Sequence, residues 1–339
     1  MAEKFLVVGP SWVGDMVMAQ SLFKTLKQQH PECLIDVLAP GWSLPLIERM
    51  PEVRRGIELP IAHGELGLAK LWRLGRSLCG ERYTRAIVLP RKFKAALVPL
   101  FAGVAHRTGY RGELRYGLIN DPRPLERTVL RQTVQRFVAL GLPNPPSAAP
   151  PVPRPRLRVD EARRDALLVQ LGLNLDKPVI AFMPGAEYGP AKQWPAQYYA
   201  EAARSLMANE RQVWLFGSKK EAALGEEIRA LAGGGPVNLC GRTTLTDAVD
   251  LFSVCEAAVS NDSGLMHVAA AVGAPLVAIY GSSTPDYTPP LGRQQTVLYL
   301  RLSCSPCFER TCPLWHYNCL RHIGSEQVLT ALAALNPVA

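Results

Sequence analysis

The chain has 339 residues, a formal net charge of +9, 48% hydrophobic residues and 20% charged residues. This composition excludes a disordered or fibrous protein, and the length predicts two domains that each bury a core. The charge is uneven: residues 1–150 hold 21 Lys and Arg against 12 Asp and Glu, whereas residues 151–339 hold 17 of each kind. Such asymmetry indicates that the first half binds an anionic partner.

The cellular compartment is predicted from cysteines and apolar stretches. Eight cysteines are too few for a disulfide-based scaffold, and the N-terminal residues lack the features of a secretory signal peptide. No apolar stretch reaches the about 20 residues that cross a bilayer. These observations predict a cytoplasmic protein. The segment 91–107 surrounds an apolar run with cations, a pattern that favours peripheral contact with an anionic lipid surface.

The first half alternates short aliphatic runs with longer helical patterns, as in a parallel sheet with crossover helices. The predicted strands are residues 5–8, 35–38 and 86–89. Asp15 follows the first strand, at the start of the first helix. A carboxylate there either complements the helix N-terminus or, within reach of an acceptor hydroxyl, acts as a general base. The residues alone leave both interpretations open.

A dense group of cations follows the third predicted strand. Six of them fall within 25 positions: Arg91, Lys92, Lys94, Arg107, Arg111 and Arg115. Arginine pairs with carboxylates and phosphates through two parallel hydrogen bonds, so the group is a candidate anion site. A solvated cationic face is the alternative for each residue singly. Nucleic acid is not the predicted partner, since no recognised binding motif accompanies the charge.

The segment 143–155 holds seven prolines in thirteen residues and predicts a stiff linker after a first domain of residues 1–150. Beyond it, strands are predicted at residues 179–183, 212–216, 257–260 and 276–280. Almost every run ends in a turn of small or polar residues. Ligands of open parallel sheets bind at the carboxyl ends of the strands, so these turns are the candidate binding loops.

Two of these loops suit phosphate. Lys192 lies in a small-residue loop just before a helix, where backbone N–H groups and one point charge bind phosphate. The second loop runs into an Ala-rich helix through Asp262, Ser263 and Gly264, with His267 one turn further on. Asp262 is either an acceptor for sugar hydroxyls or the helix cap. A solvated lysine and a buried core histidine are the alternatives for Lys192 and His267.

A cysteine cluster lies near the C-terminus, where Cys304, Cys307, Cys312 and Cys319 fall within sixteen residues. Four thiols at this density in a cytoplasmic protein indicate a structural metal site more readily than disulfides. The spacing matches no standard zinc finger, so free thiols that pack together are the alternative.

Four segments together resemble the lipopolysaccharide heptosyltransferases: residues 10–22 (PSWVGDMVMAQSL), 184–195 (PGAEYGPAKQWP), 261–271 (NDSGLMHVAAA) and 281–290 (GSSTPDYTPP). The resemblance covers essentially the whole chain in the same order. It implies an α/β GT-B fold, with two Rossmann-like parallel-sheet domains facing a cleft. Residues 1–150 would bind the acceptor and residues 151–320 ADP-heptose, while a C-terminal helix in residues 321–339 would pack back on the N-terminal domain.

The resemblance also implies an activity, inverting transfer of L-glycero-D-manno-heptose from ADP-heptose to the first heptose of the Kdo-lipid A inner core, with no cofactor. By position, Asp15 resembles the catalytic base, and Lys192 the residue that neutralises the ADP phosphates. Asp262, Ser263, Gly264 and His267 resemble residues around the heptose and pyrophosphate, and Glu221 resembles the ribose anchor. The six clustered cations would face the acceptor, which carries phosphates and Kdo carboxylates at the inner membrane surface.

Three alternatives remain at the level of the sequence. The first is a family member that uses Kdo itself as the acceptor, whereas residues 10–15 and 93–99 favour addition of the second heptose. A sugar-nucleotide epimerase of similar architecture would consume its substrate without an acceptor. A non-catalytic lipid-surface protein would bind anionic lipid and release no ADP.

Overall fold

The proline-rich segment 143–155 contains neither helix nor strand, because proline has no N–H to donate to either. A computed structural model describes residues 3–61 and 65–335. The chain divides at the end of this segment into two units, Met1–Pro155 and Arg156–Ala339. The predicted boundary at residue 150 lies inside the segment.

The N-terminal unit is built on a six-stranded parallel sheet of order β3-β2-β1-β4-β5-β6. Its strands are β1 Lys4–Val8, β2 Leu34–Ala39, β3 Arg55–Glu58, β4 Arg85–Val88, β5 His106–Tyr110 and β6 Asp121–Arg123. Its α-helices are α1 Val13–Gln29, α2 Leu44–Glu48, α3 Leu68–Ser77, α4 Leu97–Phe101 and α5 Thr133–Leu140. The central strands are buried and apolar, as expected for a parallel sheet with both faces covered.

The apolar run inside segment 91–107 belongs to the core. Leu97 and Val98 of α4 are buried together with Ala102 and Val104 in one apolar cluster that also includes strand residues of β1 and β4. Burial of these side chains removes them from any lipid contact, so the prediction that this run lies on a membrane surface is wrong. The cations around the run remain at the surface or bind the chain itself, as described below.

The C-terminal unit contains a second six-stranded parallel sheet, of order β12-β11-β10-β7-β8-β9. Its strands are β7 Val179–Met183, β8 Gln212–Leu215, β9 Val237–Asn238, β10 Ala257–Asn261, β11 Leu276–Ile279 and β12 Gln295–Leu298. Its α-helices are α6 Glu161–Leu171, α7 Ala196–Ala208, α8 Ala222–Leu231, α9 Leu245–Phe252, α10 Gly264–Val272, α11 Asn318–Arg321 and α12 Ser325–Leu335.

The last helix packs within its own unit. Val328, Ala331, Leu332 and Leu335 of α12 recur at helical spacing and are buried in the C-terminal core, against α7 and strands β10 to β12. The apolar face of this helix thus belongs to the C-terminal core. Residues 336–339 of that expected helix lie outside the described residues.

Both sheets bring loops from several strands to one edge. Because all strands of each sheet are parallel, the segments after β1, β2 and β4 share an edge of the first sheet, and those after β7, β8, β10 and β11 share an edge of the second. Among residues 3–61 and 65–335, no helix combines the length and apolar character needed to cross a membrane.

Candidate active site

A partly buried ion pair joins two predicted loops at the carboxyl edge of the C-terminal sheet. Lys192 ends a short 3₁₀ turn after β7, and Asp262 directly follows β10, the neighbouring strand. Lys192 Nζ lies 2.5 Å from Asp262 Oδ2. Ser283 Oγ donates to the same oxygen over 2.5 Å. Lys192 is therefore not a solvated loop lysine, because the Asp262 carboxylate holds its Nζ at this edge of the sheet.

The helix that follows Asp262 is capped by the next residue. Ser263 is the N-cap of α10 and accepts a hydrogen bond from the backbone N–H of Met266 over 3.3 Å. Asp262 is thus not the cap, and its carboxylate serves Lys192 and Ser283 instead. Gly264 begins the helix, and the first N–H groups of a helix carry a partial positive charge suited to anions. Lysine and helix start together make this edge a candidate phosphate site.

His267 lies one turn into α10 and is buried. Burial lowers the pKa of His267 to about 4; Lys192 acts in the same direction and Asp262 opposes it. The imidazole is therefore neutral at neutral pH, with one ring nitrogen that donates and one that accepts. Such a group can hydrogen-bond a sugar or phosphate oxygen without adding charge.

The side chain of Asn261 joins the two loops, although the sequence motif assigned it no role. Its Oδ1 accepts from the backbone N–H of Trp194 over 3.1 Å and from the Tyr199 hydroxyl over 3.2 Å. Its Nδ2 donates to the carbonyl of Pro184 over 2.7 Å. Asn261 therefore fixes the spacing between the Lys192 and Asp262 loops. The only sequence signal was a polar residue at the end of a buried apolar strand.

Glu221 lies at the same sheet edge, in a 3₁₀ turn after β8. Its carboxylate accepts from the backbone N–H of Ser218 over 2.6 Å. It also occupies the space beside two glycines: an added methyl would lie 1.7 Å from Glu221 Oε1 at Gly185 and 2.8 Å from Oε2 at Gly217. The carboxylate thus reaches across the ends of β7 and β8, where it can accept hydrogen bonds from the hydroxyl groups of a nucleotide ribose.

The cysteine-rich segment covers the Lys192 loop. The carbonyl of Arg310 accepts from the backbone N–H of Ala191 over 3.0 Å, and the Tyr188 hydroxyl donates to the carbonyl of Phe308 over 2.5 Å. The Tyr188 ring contacts two cations, Lys192 at 5.0 Å and Arg310 at 5.4 Å from the ring centroid. Arg310 is a second cation beside this loop, and nothing in the sequence pattern indicated it.

The four clustered cysteines, Cys304, Cys307, Cys312 and Cys319, are free thiols. Across residues 3–61 and 65–335, no group of three or more His, Cys, Asp or Glu side chains is arranged to hold a metal ion. Burial raises the pKa of Cys312, but hydrogen bonds from the backbone N–H groups of residues 314–317 offset this and leave it below its usual value. Burial raises the pKa of Cys319 to about 11, and Cys304, Cys307 and Cys312 act in the same direction, so the four thiols lie near one another.

In the N-terminal unit, Asp15 lies in the first turn of α1, just beyond the carboxyl end of β1. The N-cap of this helix is Trp12, which makes no side-chain capping bond. Asp15 is therefore not the N-cap. As the acidic residue of the first turn it complements the helix N-terminus, and its half-buried carboxylate lies at the carboxyl edge of the first sheet, where ligands of such sheets bind.

Two arginines of the six clustered cations each donate to several backbone carbonyls. The Arg107 guanidinium donates to the carbonyls of Leu118 and Gly117 over 2.7 and 3.0 Å. Arg115 is buried and donates to the carbonyls of Pro90 and Tyr110. Burial lowers the pKa of both arginines. These contacts give Arg107 and Arg115 a structural role that the charge pattern did not predict.

The other four cations lie closer to solvent. Arg91, Lys92 and Arg111 are exposed, and Lys94 is half-buried with its Nζ donating to the carbonyl of Glu65 over 2.8 Å. Lys92 Nζ forms an exposed ion pair of 2.9 Å with a glutamate. Arg91, Lys92 and Arg111 are therefore the members of the cluster that an external anion can reach.

Comparison with known proteins places this geometry in a family. The sequence model of glycosyltransferase family 9 (heptosyltransferase) matches residues 71–318. Lipopolysaccharide heptosyltransferase 2 of Escherichia coli (strain K12) is 46% identical over 98% of each chain, and that of Salmonella typhimurium is 49% identical over 98% of each chain. The chain belongs to glycosyltransferase family 9. It is a glycosyltransferase, as predicted.

The solved structures support the same family. That of E. coli ADP-heptose lps heptosyltransferase II matches with a TM-score of 0.87 and 45% identity, covering 98% of each chain. A family 9 glycosyltransferase from Veillonella parvula, at 19% identity and a TM-score of 0.84, shares the fold. The predicted α/β GT-B fold class is confirmed by this likeness and by the two parallel sheets. Lys192, Glu221 and Asp262 lie within the residues that the family 9 model matches, whereas Asp15 precedes them.

Proposed function

We propose that the chain transfers L-glycero-D-manno-heptose from ADP-heptose to the first heptose of a Kdo-lipid A acceptor in lipopolysaccharide core biosynthesis, with inversion. The observation that carries the proposal is the partly buried Lys192–Asp262 pair at the start of α10, in a chain closely similar to lipopolysaccharide heptosyltransferases 2. The pair supplies a cation and a sugar-hydroxyl acceptor side by side, which suits the sugar–phosphate junction of the donor.

The donor half of the reaction uses the C-terminal unit. As the anomeric carbon–oxygen bond breaks, negative charge develops on the departing ADP. Lys192 and the first N–H groups of α10 stabilise that charge. Asp262, held by Ser283, accepts hydrogen bonds from hydroxyl groups of the heptose, with Ser263, Gly264 and neutral His267 around it. Glu221 accepts hydrogen bonds from the ribose hydroxyls.

The acceptor half uses Asp15. Inversion is a single in-line displacement, so a base must act on the sugar face opposite the leaving group. Asp15 removes the proton of the acceptor hydroxyl while that oxygen bonds to the anomeric carbon and the electron pair of the breaking bond leaves with ADP. The proton ends on the Asp15 carboxyl.

The exposed cations of the N-terminal unit bind the anionic acceptor. Arg91, Lys92 and Arg111 are accessible and pair with acceptor phosphates and Kdo carboxylates. Lys94, Arg107 and Arg115 support them through their contacts to backbone carbonyls. Since the acceptor is a lipid, the enzyme works as a peripheral protein at the cytoplasmic face of the inner membrane.

The test is ADP release from ADP-heptose with no acceptor, with Kdo-lipid A and with heptosyl-Kdo-lipid A. Release that requires heptosyl-Kdo-lipid A supports the proposal. Release with Kdo-lipid A alone assigns the first heptose transfer instead. Consumption of ADP-heptose without any acceptor indicates an epimerase or hydrolase and overturns the proposal.

A further inference from the structure

Helix α3 exposes large apolar side chains on one side of the N-terminal unit. Leu68 and Trp72 lie one turn apart on α3 and are 50% and 53% exposed, and Leu66, just before the helix, is 50% exposed. The adjoining stripe of the helix is core: Leu71 is buried, and Gly75 packs so closely that an added methyl would lie 2.3 Å from Phe101 Cβ. The helix is thus firmly seated while its outer face remains apolar.

The charged side chains of α3 itself are all positive, although Lys70 Nζ pairs at 2.8 Å with the carboxylate of Glu65, just before the helix. Lys70, Arg73 and Arg76 are exposed on α3, and residues 68–77 include no Asp or Glu. Exposed apolar residues that lie close together mark an interaction surface. Protein interfaces are depleted in lysine, whereas tryptophan and leucine interleaved with lysine and arginine suit the headgroup region of an anionic bilayer.

We propose that α3 is the membrane-contacting surface of this enzyme and lies on an anionic lipid bilayer. The α3 surface consists of Leu66, Leu68, Trp72, Arg73 and Arg76. Leu66, Leu68 and Trp72 enter the boundary between headgroups and acyl chains. Arg73 and Arg76 contact lipid phosphates, since an anionic membrane surface attracts basic side chains. This inference rests on the proposed function in one respect: a lipid acceptor explains why the enzyme benefits from membrane contact.

The α3 surface adjoins the cations assigned to the acceptor. Lys94 Nζ donates to the carbonyl of Glu65 over 2.8 Å, which ties the residues preceding α3 to the loop that carries Arg91 and Lys92. The lipid anchor of an inner-core acceptor stays in the bilayer while its sugars project from it. A membrane contact beside the acceptor cations therefore brings those sugars to the enzyme without extraction of the lipid.

The test is co-sedimentation of the full chain with vesicles of phosphatidylethanolamine containing one-third phosphatidylglycerol, compared with neutral phosphatidylcholine vesicles. We expect binding to the anionic vesicles only. Leu68→Gln/Trp72→Gln and, separately, Arg73→Gln/Arg76→Gln should each weaken it about tenfold. Trp315→Gln is the matched control, because Trp315 is 78% exposed in the C-terminal unit. Wild-type binding by both double variants, or an equal loss in Trp315→Gln, would overturn the proposal.

Transfer to a deacylated, water-soluble acceptor separates this surface from the catalytic site. Both double variants should keep wild-type turnover there and lose it with acceptor embedded in vesicles. Equal loss on both acceptors would mean damage to the fold or the site and would overturn the assignment of α3. Should the wild type transfer heptose to neither acceptor, the proposed function fails, and vesicle binding alone then decides whether α3 contacts the membrane.

Discussion

The two units use the same edge of the same kind of sheet in opposite ways. In the C-terminal unit, polar side chains at the carboxyl edge, such as Asn261, Asp262 and Ser283, are buried and hydrogen-bonded to one another or to nearby loops. In the N-terminal unit, Arg91, Lys92 and Arg111 stand in solvent. A buried network fixes the position of a small ligand, whereas exposed cations attract a large anion broadly and are screened by salt. A protein can therefore bind an anion without a net positive charge when its polar groups are held in fixed positions.

The largest expected effect tests the division of labour between the units. Asp15→Asn should lower turnover about 10³-fold, because it removes the base while keeping the size of the side chain. Binding of ADP-heptose, measured by isothermal titration calorimetry, should stay at the wild-type level, since the donor residues belong to the C-terminal unit. Lost donor binding would return Asp15 to a structural role.

A smaller effect is expected at the partly buried pair. Lys192→Met should lower kcat about 10²-fold, because the charge on departing ADP loses its cation. Lys220→Met is the matched control: Lys220 Nζ also pairs with a carboxylate, that of Glu187 at 2.7 Å, but the pair is exposed. Steady-state kinetics should separate the two variants. Equal rates would mean that Lys192 serves only Asp262.

The cationic cluster offers the next contrast. Arg107→Gln should lower the free energy of unfolding by about 2 kcal/mol, because partly buried backbone carbonyls lose their donor. Arg111→Gln should leave stability unchanged and raise KM for the acceptor several-fold. Urea denaturation and acceptor kinetics measure the two effects. If Arg107→Gln instead unfolds like the wild type and raises KM, that arginine serves the acceptor.

The last expected effect is a pH dependence of stability. The pKa of His267 is lowered to about 4 in the folded chain, against about 6.5 in an unfolded one. As the pH falls through this interval, His267 binds a proton in the unfolded chain but not in the folded chain. The free energy of unfolding should therefore drop by up to about 1.4 kcal/mol per pH unit and be fully recovered above pH about 6.5. His267→Gln should show a shallower slope in urea melts from pH 7 to 5; a parallel slope would contradict the buried, neutral state of His267.

The sequence predicts the centre of each sheet better than its margins. The seven apolar runs recognised in the sequence all form strands, because central parallel strands are buried on both faces and are continuously hydrophobic. Strands β3, β5, β6, β9 and β12 lie at or next to sheet edges. They are short or polar, as in Asp121–Arg123 and Val237–Asn238, so no hydrophobic run marks them.

The site follows the same logic. Lys192 and Asp262 could be predicted because a strand, a small-residue loop and a helix start are local patterns. Their partner Ser283 could not, since the hydrogen bond to Asp262 joins residues 21 positions apart. The contacts of Arg107 and Arg115 with the backbone could not be predicted either, because charge patterns do not show whether a guanidinium faces solvent or backbone carbonyls. The fold class and the binding loops can thus be predicted from local sequence patterns, whereas the hydrogen-bond partners of individual side chains cannot.

The contact between Gly185 and Glu221 has an evolutionary consequence. An added methyl at position 185 would lie 1.7 Å from Glu221 Oε1, so a side chain there requires the carboxylate to move, and substitutions at the two positions are energetically coupled. In its present position the carboxylate accepts from the backbone N–H of Ser218. Gly185→Ala should therefore be tolerated better in a chain that already carries Glu221→Ala than in one that keeps Glu221.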